Sequence, residues 1–69
     1  MGLWQDFAAV AACMLRVQGL PTQLVIGYAD DTYHAWNIVQ INGEYRRLDI
    51  TADLKGLSRD AEYTAERIY

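Results

Sequence analysis

Residues 33–51 read YHAWNIVQINGEYRRLDIT, and this stretch decides the fold. Asn42-Gly43 is the strongest short signal for a two-residue hairpin turn, because its central positions need φ > 0 and Asn and Gly adopt that most readily. The flanking runs 33–41 and 44–50 are rich in branched and aromatic residues and read as two antiparallel strands. The turn sets their register: Ile41 meets Glu44, Val39 meets Arg46, and Trp36 meets Asp49. His34 then falls opposite Thr51, with Asp49 as its diagonal neighbour on the same face. Diagonal residues sit roughly 7–8 Å apart at Cα with side chains closer. The chain's one histidine is therefore predicted to touch the Asp49 carboxylate. A carboxylate on one ring nitrogen fixes the tautomer and leaves the other nitrogen to act as a base. Without any chemistry, the same pair is simply a surface His–Asp contact.

Working outward, 24–28 makes a further short strand closed by Ala29-Asp30-Asp31-Thr32, a turn composition. Upstream, 2–18 reads as a helix. It has no proline or interior glycine, and Leu3, Phe7, Val10, Met14 and Val17 recur at spacings of three and four. Trp4, Ala8, Ala11 and Leu15 form a second apolar stripe beside the first, so the helix is expected to be covered on most sides. Asp6 near its start and Arg16 near its end suit the helix dipole. Gly19-Leu20-Pro21 is a strong stop, with glycine at the left-handed C′ position and proline forbidding continuation. Beyond Thr51 the chain turns polar, Lys55-Gly56 and Ser58-Arg59-Asp60 mark loop, and 63–69 reads equally as a terminal strand or a short helix. The order is one buried helix followed by an antiparallel sheet, an α+β arrangement in a single domain over 1–69.

Composition narrows the function classes. A chain of 69 residues buries only about 60% of its unfolded surface, so its core has little margin. The 52% hydrophobic content is what makes folding affordable and excludes a disordered tail. One cysteine and one histidine exclude a disulfide-stapled scaffold and a Cys- or His-built metal site, and no cofactor is implied. A net charge of −3 argues against nucleic acid as a partner. No apolar run approaches the length that spans a membrane, and no signal-like segment is present. These features describe a small, acidic, cytoplasmic-type domain.

The ordered set Gly2-Leu3-Trp4-Gln5-Asp6-Phe7-Ala8, Met14-Leu15-Arg16, Gln18-Gly19-Leu20-Pro21, Gly27-Tyr28, His34-Ala35-Trp36 and Leu48-Asp49-Ile50-Thr51 resembles the bacterial transglutaminase-like family. The resemblance covers residues 2 to about 52, with a weaker echo at 63–69. It implies a papain-type architecture. The implied chemistry is acyl transfer by a cysteine thiolate, with a histidine base that an aspartate orients. His34 matches the family histidine and Asp49 the family aspartate. The family cysteine falls on Trp4, whose indole has no nucleophilic atom for this step. Cys13 lies nine residues further along, ~13.5 Å up the axis, turned to the opposite side, and reads as a small buried apolar residue. Thr51 and Ser58 are oxygen nucleophiles without a helix start beside them.

The expectation is a transglutaminase-like core that keeps a His34–Asp49 dyad but lacks its nucleophile, inactive as it stands and serving as a binding or structural module. One alternative is a thiol-dependent protease or amide acyltransferase whose parent carries cysteine at position 4. Another is a small α+β protein-interaction domain in which Trp4, Trp36 and the tyrosines only pack. The family's preceding segments are expected to be missing. The helix stripe they would cover is then expected to drive self-association, as a dimer or domain swap, or to take a protein or peptide partner.

Overall fold

The computed structural model describes residues 3–50 and 60–69, apart from the side chains of residues 3 and 4. One helix, α1 (Leu3–Val17), is followed by β1 (Thr22–Ala29), β2 (Thr32–Ile41), β3 (Glu44–Leu48) and β4 (Tyr63–Ile68). The strands form one antiparallel sheet in the order β3-β2-β1-β4, and α1 lies on β1 and β2. The segment 63–69, legible from sequence as helix or strand, is a strand. It zips onto β1 and continues the ladder through the Leu24 and Tyr69 backbones at 2.8 and 3.1 Å. No helix among the described residues is long and apolar enough to cross a membrane.

The stop after α1 works as its sequence suggests. Gly19 has φ +86°, its N–H donates to the Arg16 carbonyl (3.0 Å), and the Leu20 N–H reaches back to the Leu15 carbonyl (3.0 Å). These two bonds are the Schellman closure that satisfies the last helical carbonyls. Arg16 does more than complement the dipole. Its guanidinium donates twice to the Thr22 carbonyl, at 2.9 and 2.7 Å, pinning the helix end to the start of β1.

Asn42 (φ +53°) and Gly43 (φ +80°) make the β2–β3 turn, and the pairs Ile41–Glu44 and Val39–Arg46 form in the expected register. The ladder ends at Asn37–Leu48, so Trp36 and Asp49 are not a ladder pair, and Asp49 lies just past the strand. Thr51 lies outside the described residues.

Alternation along β2 divides the sheet into two faces. Asn37 faces α1, where its Nδ2 donates to the Ala8 carbonyl (2.9 Å) and the Gln23 carbonyl (3.3 Å). Tyr33, Ala35 and Val39 share that face, while His34, Trp36 and Ile38 point the other way. Against the helix-side face sit Ala8, Ala11 and Ala12, all buried. Their small side chains let the helix backbone approach closely enough for the Asn37 bond.

The helix is less covered than its sequence suggests. Phe7, Val10, Met14 and Val17 are 45%, 58%, 64% and 87% exposed, so among the described side chains of α1 only Ala8, Ala11 and Ala12 are buried. A sheet can cover one side of a helix, and the strands that meet α1 are β1 and β2. Cys13 is a second correction. Its sequence context predicts burial, and it is exposed, one residue past Ala12 and rotated off the buried face.

Gly27 holds the β1–β4 junction. The register shifts between Ile26 and Gly27, with Glu66 as the extra residue on β4. A Cβ on Gly27 would land on the Thr64 carbonyl oxygen and come within 3.0 Å of Ala65 Cα and Glu66 N, all backbone atoms that cannot rotate away. Gly27→Ala is therefore expected to destabilise the chain by about 1–3 kcal/mol. A urea titration checks this, and Gly27→Ala matching wild type would mean the bulge yields freely.

Candidate active site

The sequence-predicted pair comes together. His34 Nε2 lies 2.8 Å from both Asp49 carboxylate oxygens. The contact is not a surface one, because the two side chains are only 0% and 7% exposed. His34 is carried by β2 on the face away from α1. Asp49 reaches it from just beyond β3, whose pairing with β2 ends at Asn37–Leu48. The first turn of α1 lies toward the same end of the sheet, since Gln5 Nε2 donates to the Tyr33 hydroxyl (3.5 Å). Pair and helix start thus share one end of the molecule, on either side of an edge of β2 that β3 leaves unpaired at residues 32–36.

A third group completes the cluster. Tyr63, the first residue of β4, donates its hydroxyl to Asp49 Oδ2 at 2.6 Å. Tyr63 pairs with Ala29 on β1, so its ring must pass over β1 to reach Asp49. It does so because the β1 residues on that face are small there: Gly27 has no side chain and Ala29 is fully buried. Trp36 meets the Tyr63 ring edge-to-face at 4.8 Å and 80°, and stacks on His34 at 6.4 Å. Arg47 of β3 lies with Cζ 3.7 Å above the Tyr63 ring, a cation–π contact.

Burial pushes the Tyr63 phenol up to about 12, assisted by its hydrogen bond to Asp49 and the Asp49 charge, with Arg47 opposing. Sequence reasoning missed Tyr63 and Arg47. The only signals were an aromatic residue opening a segment of undecided structure and two consecutive arginines, Arg46 and Arg47, in β3.

The cluster's chemical capacity follows from its geometry. With Nε2 committed to a carboxylate, the imidazole is held in one orientation and proton transfer falls to Nδ1. Cys13 sits on α1, whose packing face is opposite to the pair's side of the sheet, and it is exposed. Ser58 and Thr51 lie outside the described residues, as does the side chain of Trp4. A trough of about 250 Å³ beside the cluster is lined by Val25, Trp36, Ile38, Arg47 and Tyr63. A cleft of about 440 Å³ lies on the helix side between α1 and β4 and does not touch the pair.

A helix on an antiparallel sheet, with a buried histidine held by an aspartate across a hairpin, defines an α+β domain of the kind the sequence motifs suggest. The Transglutaminase-like superfamily model matches residues 1–50, and the chain belongs to that superfamily. No curated protein and no solved structure matches the chain significantly.

The raised Tyr63 phenol makes stability pH-dependent at the alkaline end. Between pH 10 and about 12 the folded chain keeps a proton that the unfolded chain releases. Stability tied to the protonated phenol is therefore intact below pH 10 and lost as pH rises toward about 12. Urea midpoints measured across that window should fall more steeply for wild type than for Tyr63→Phe. Equal slopes would show that Tyr63 titrates as it does in the unfolded chain.

Proposed function

We propose that this chain is a transglutaminase-like core that keeps the base and its orienting acid but lacks the nucleophile, so that it works as a binding or structural module. The observation that carries this reading is the buried His34–Asp49 contact at 2.8 Å, in a chain whose family cysteine position holds Trp4. In the superfamily's chemistry a thiol attacks an acyl carbon while imidazole takes the thiol proton. His34 and Asp49 are suited to the imidazole and carboxylate parts. The thiol part calls for sulfur at a helix N-terminus, where the dipole and a nearby imidazolium favour the thiolate. Position 4 stands in the first turn of α1 and carries carbon and an indole nitrogen instead. Cys13 is too far along α1 to substitute.

As a module, the surface this reading assigns to a partner is the outer stripe of α1, where Phe7, Val10, Met14 and Val17 are exposed together. A second copy is the partner proposed, since closed two-fold pairs are the commonest oligomers. Such an apolar stripe favours association over exposure to water.

Two measurements test the reading. With an activated ester, wild type should show no acyl burst. Trp4→Cys should show one burst per chain, reduced about 100-fold in rate by His34→Ala. A wild-type burst that vanishes in Cys13→Ala overturns the proposal, as does a Trp4→Cys burst indifferent to His34. For association, light scattering at micromolar concentration should give a mass above the 7.9 kDa monomer, reduced toward it in Val10→Lys. A monomer throughout rejects the self-association.

A further inference from the structure

We propose that Tyr63 is a positioning residue: its hydroxyl, bound to the same carboxylate as His34, aims Asp49 at the imidazole. This rests on the reading of His34 as the base of the site and extends it to a residue outside the stretch that the superfamily model matches.

Asp49 needs a second hold. It stands one residue beyond β3 and outside the ladder, so strand pairing does not fix its backbone. A carboxylate hinged there has two side-chain torsions to settle. The bond to His34 Nε2 is shared evenly between both oxygens at 2.8 Å and leaves rotation about the carboxylate axis weakly defined. Tyr63 singles out Oδ2 from a different direction, at 2.6 Å, and so removes that freedom. Two donors from two strands define the plane of the carboxylate where one would not.

The ring that carries this hydroxyl is itself held firmly. The Trp36 edge contact (4.8 Å) and the Arg47 guanidinium (3.7 Å) restrain it, and Gly27 and Ala29 leave space beneath it. The charged and titratable groups that bear on Tyr63 are Asp49, Arg47 of β3 and Asp30 of the β1–β2 turn. Of these, Asp49 is its hydrogen-bond acceptor. A tyrosine serving only to fill space would make the same ring contacts with no hydroxyl. Tyr63→Phe therefore separates the two roles.

The experiment follows the His34 Nε2–H proton by NMR in the intact chain. In wild type it should appear far downfield and exchange slowly with water. Tyr63→Phe should speed that exchange about tenfold or more, as expected for loss of a bond to a charged acceptor, while amide protection in β1 and β2 stays unchanged. Exchange equal to wild type would overturn the proposal and leave Tyr63 a packing residue. Should Tyr63→Phe fail to fold, wild type alone decides. A cross-peak between the Tyr63 hydroxyl proton and His34 Nε2–H supports the shared carboxylate, and its absence refutes it. In the Trp4→Cys background, Tyr63→Phe should lower kcat about tenfold with KM held, and an unchanged kcat counts against the role. An inactive Trp4→Cys chain would sink the functional reading alone, because the exchange measurement needs no activity.

Discussion

The polar cluster on the far face of the sheet is organised around one carboxylate. Asp49 takes His34 from β2 and Tyr63 from β4, and it stands at the exit of β3. Three of the four strands thus meet at a group only 7% exposed. A charge in such a place is tolerable only when its oxygens are satisfied, because desolvation otherwise exceeds the attraction it gains. Both oxygens here have donors. The demand for those donors is what brings the first residue of β4 across β1, and it explains why β1 carries Gly27 and Ala29 where Tyr63 must cross. The same glycine admits the bulge that sets the β4 register. Sheet geometry and site geometry therefore share one cause.

The two faces of the sheet do different work. Toward α1 the contacts are aliphatic and small, with Ala8, Ala11 and Ala12 close to β1 and β2 and a single buried amide, Asn37, tying helix to sheet. Away from α1 the face is aromatic and polar, with His34, Trp36, Tyr63, Arg47 and Asp49 in mutual contact. A small chain gains little from a thin hydrophobic core. Here the second face adds rings stacked edge-on and a charge-assisted hydrogen-bond cluster, which bury side chains that one helix cannot cover.

The hairpin was legible because Asn42-Gly43 determines register by backbone geometry alone, and from that register the His34–Asp49 contact follows. The helix was legible from its period and from the Gly19-Leu20-Pro21 stop. Burial was not. Two apolar stripes on α1 look alike in sequence, and only the shape of a flat sheet decides that the alanines pack while Phe7, Val10 and Met14 stay outside. The same rotation puts Cys13 in solvent although its neighbours Ala11 and Ala12 are buried. Tyr63 was invisible for a different reason. Its role depends on β4 pairing with β1, a long-range choice that local pattern does not encode, and on a bulge at Gly27 that no short motif announces.

The buried histidine–aspartate contact has a physical basis apart from catalysis. Removing one member of a buried hydrogen-bonded pair leaves the other unsatisfied, at a cost of about 1–3 kcal/mol, which is a large part of what a domain of this size has to spare. His34 and Asp49 are thus held in place by folding as well as by any chemistry. Position 4 belongs to the first turn of α1, and the described packing of that helix rests on the alanine stripe and on Asn37. On the proposed reading, a nucleophile lost from the helix start subtracts a reaction, whereas loss of His34 or Asp49 weakens the fold as well. A transglutaminase-like chain that drifts from catalysis is therefore expected to change first at the helix start and last at the hairpin.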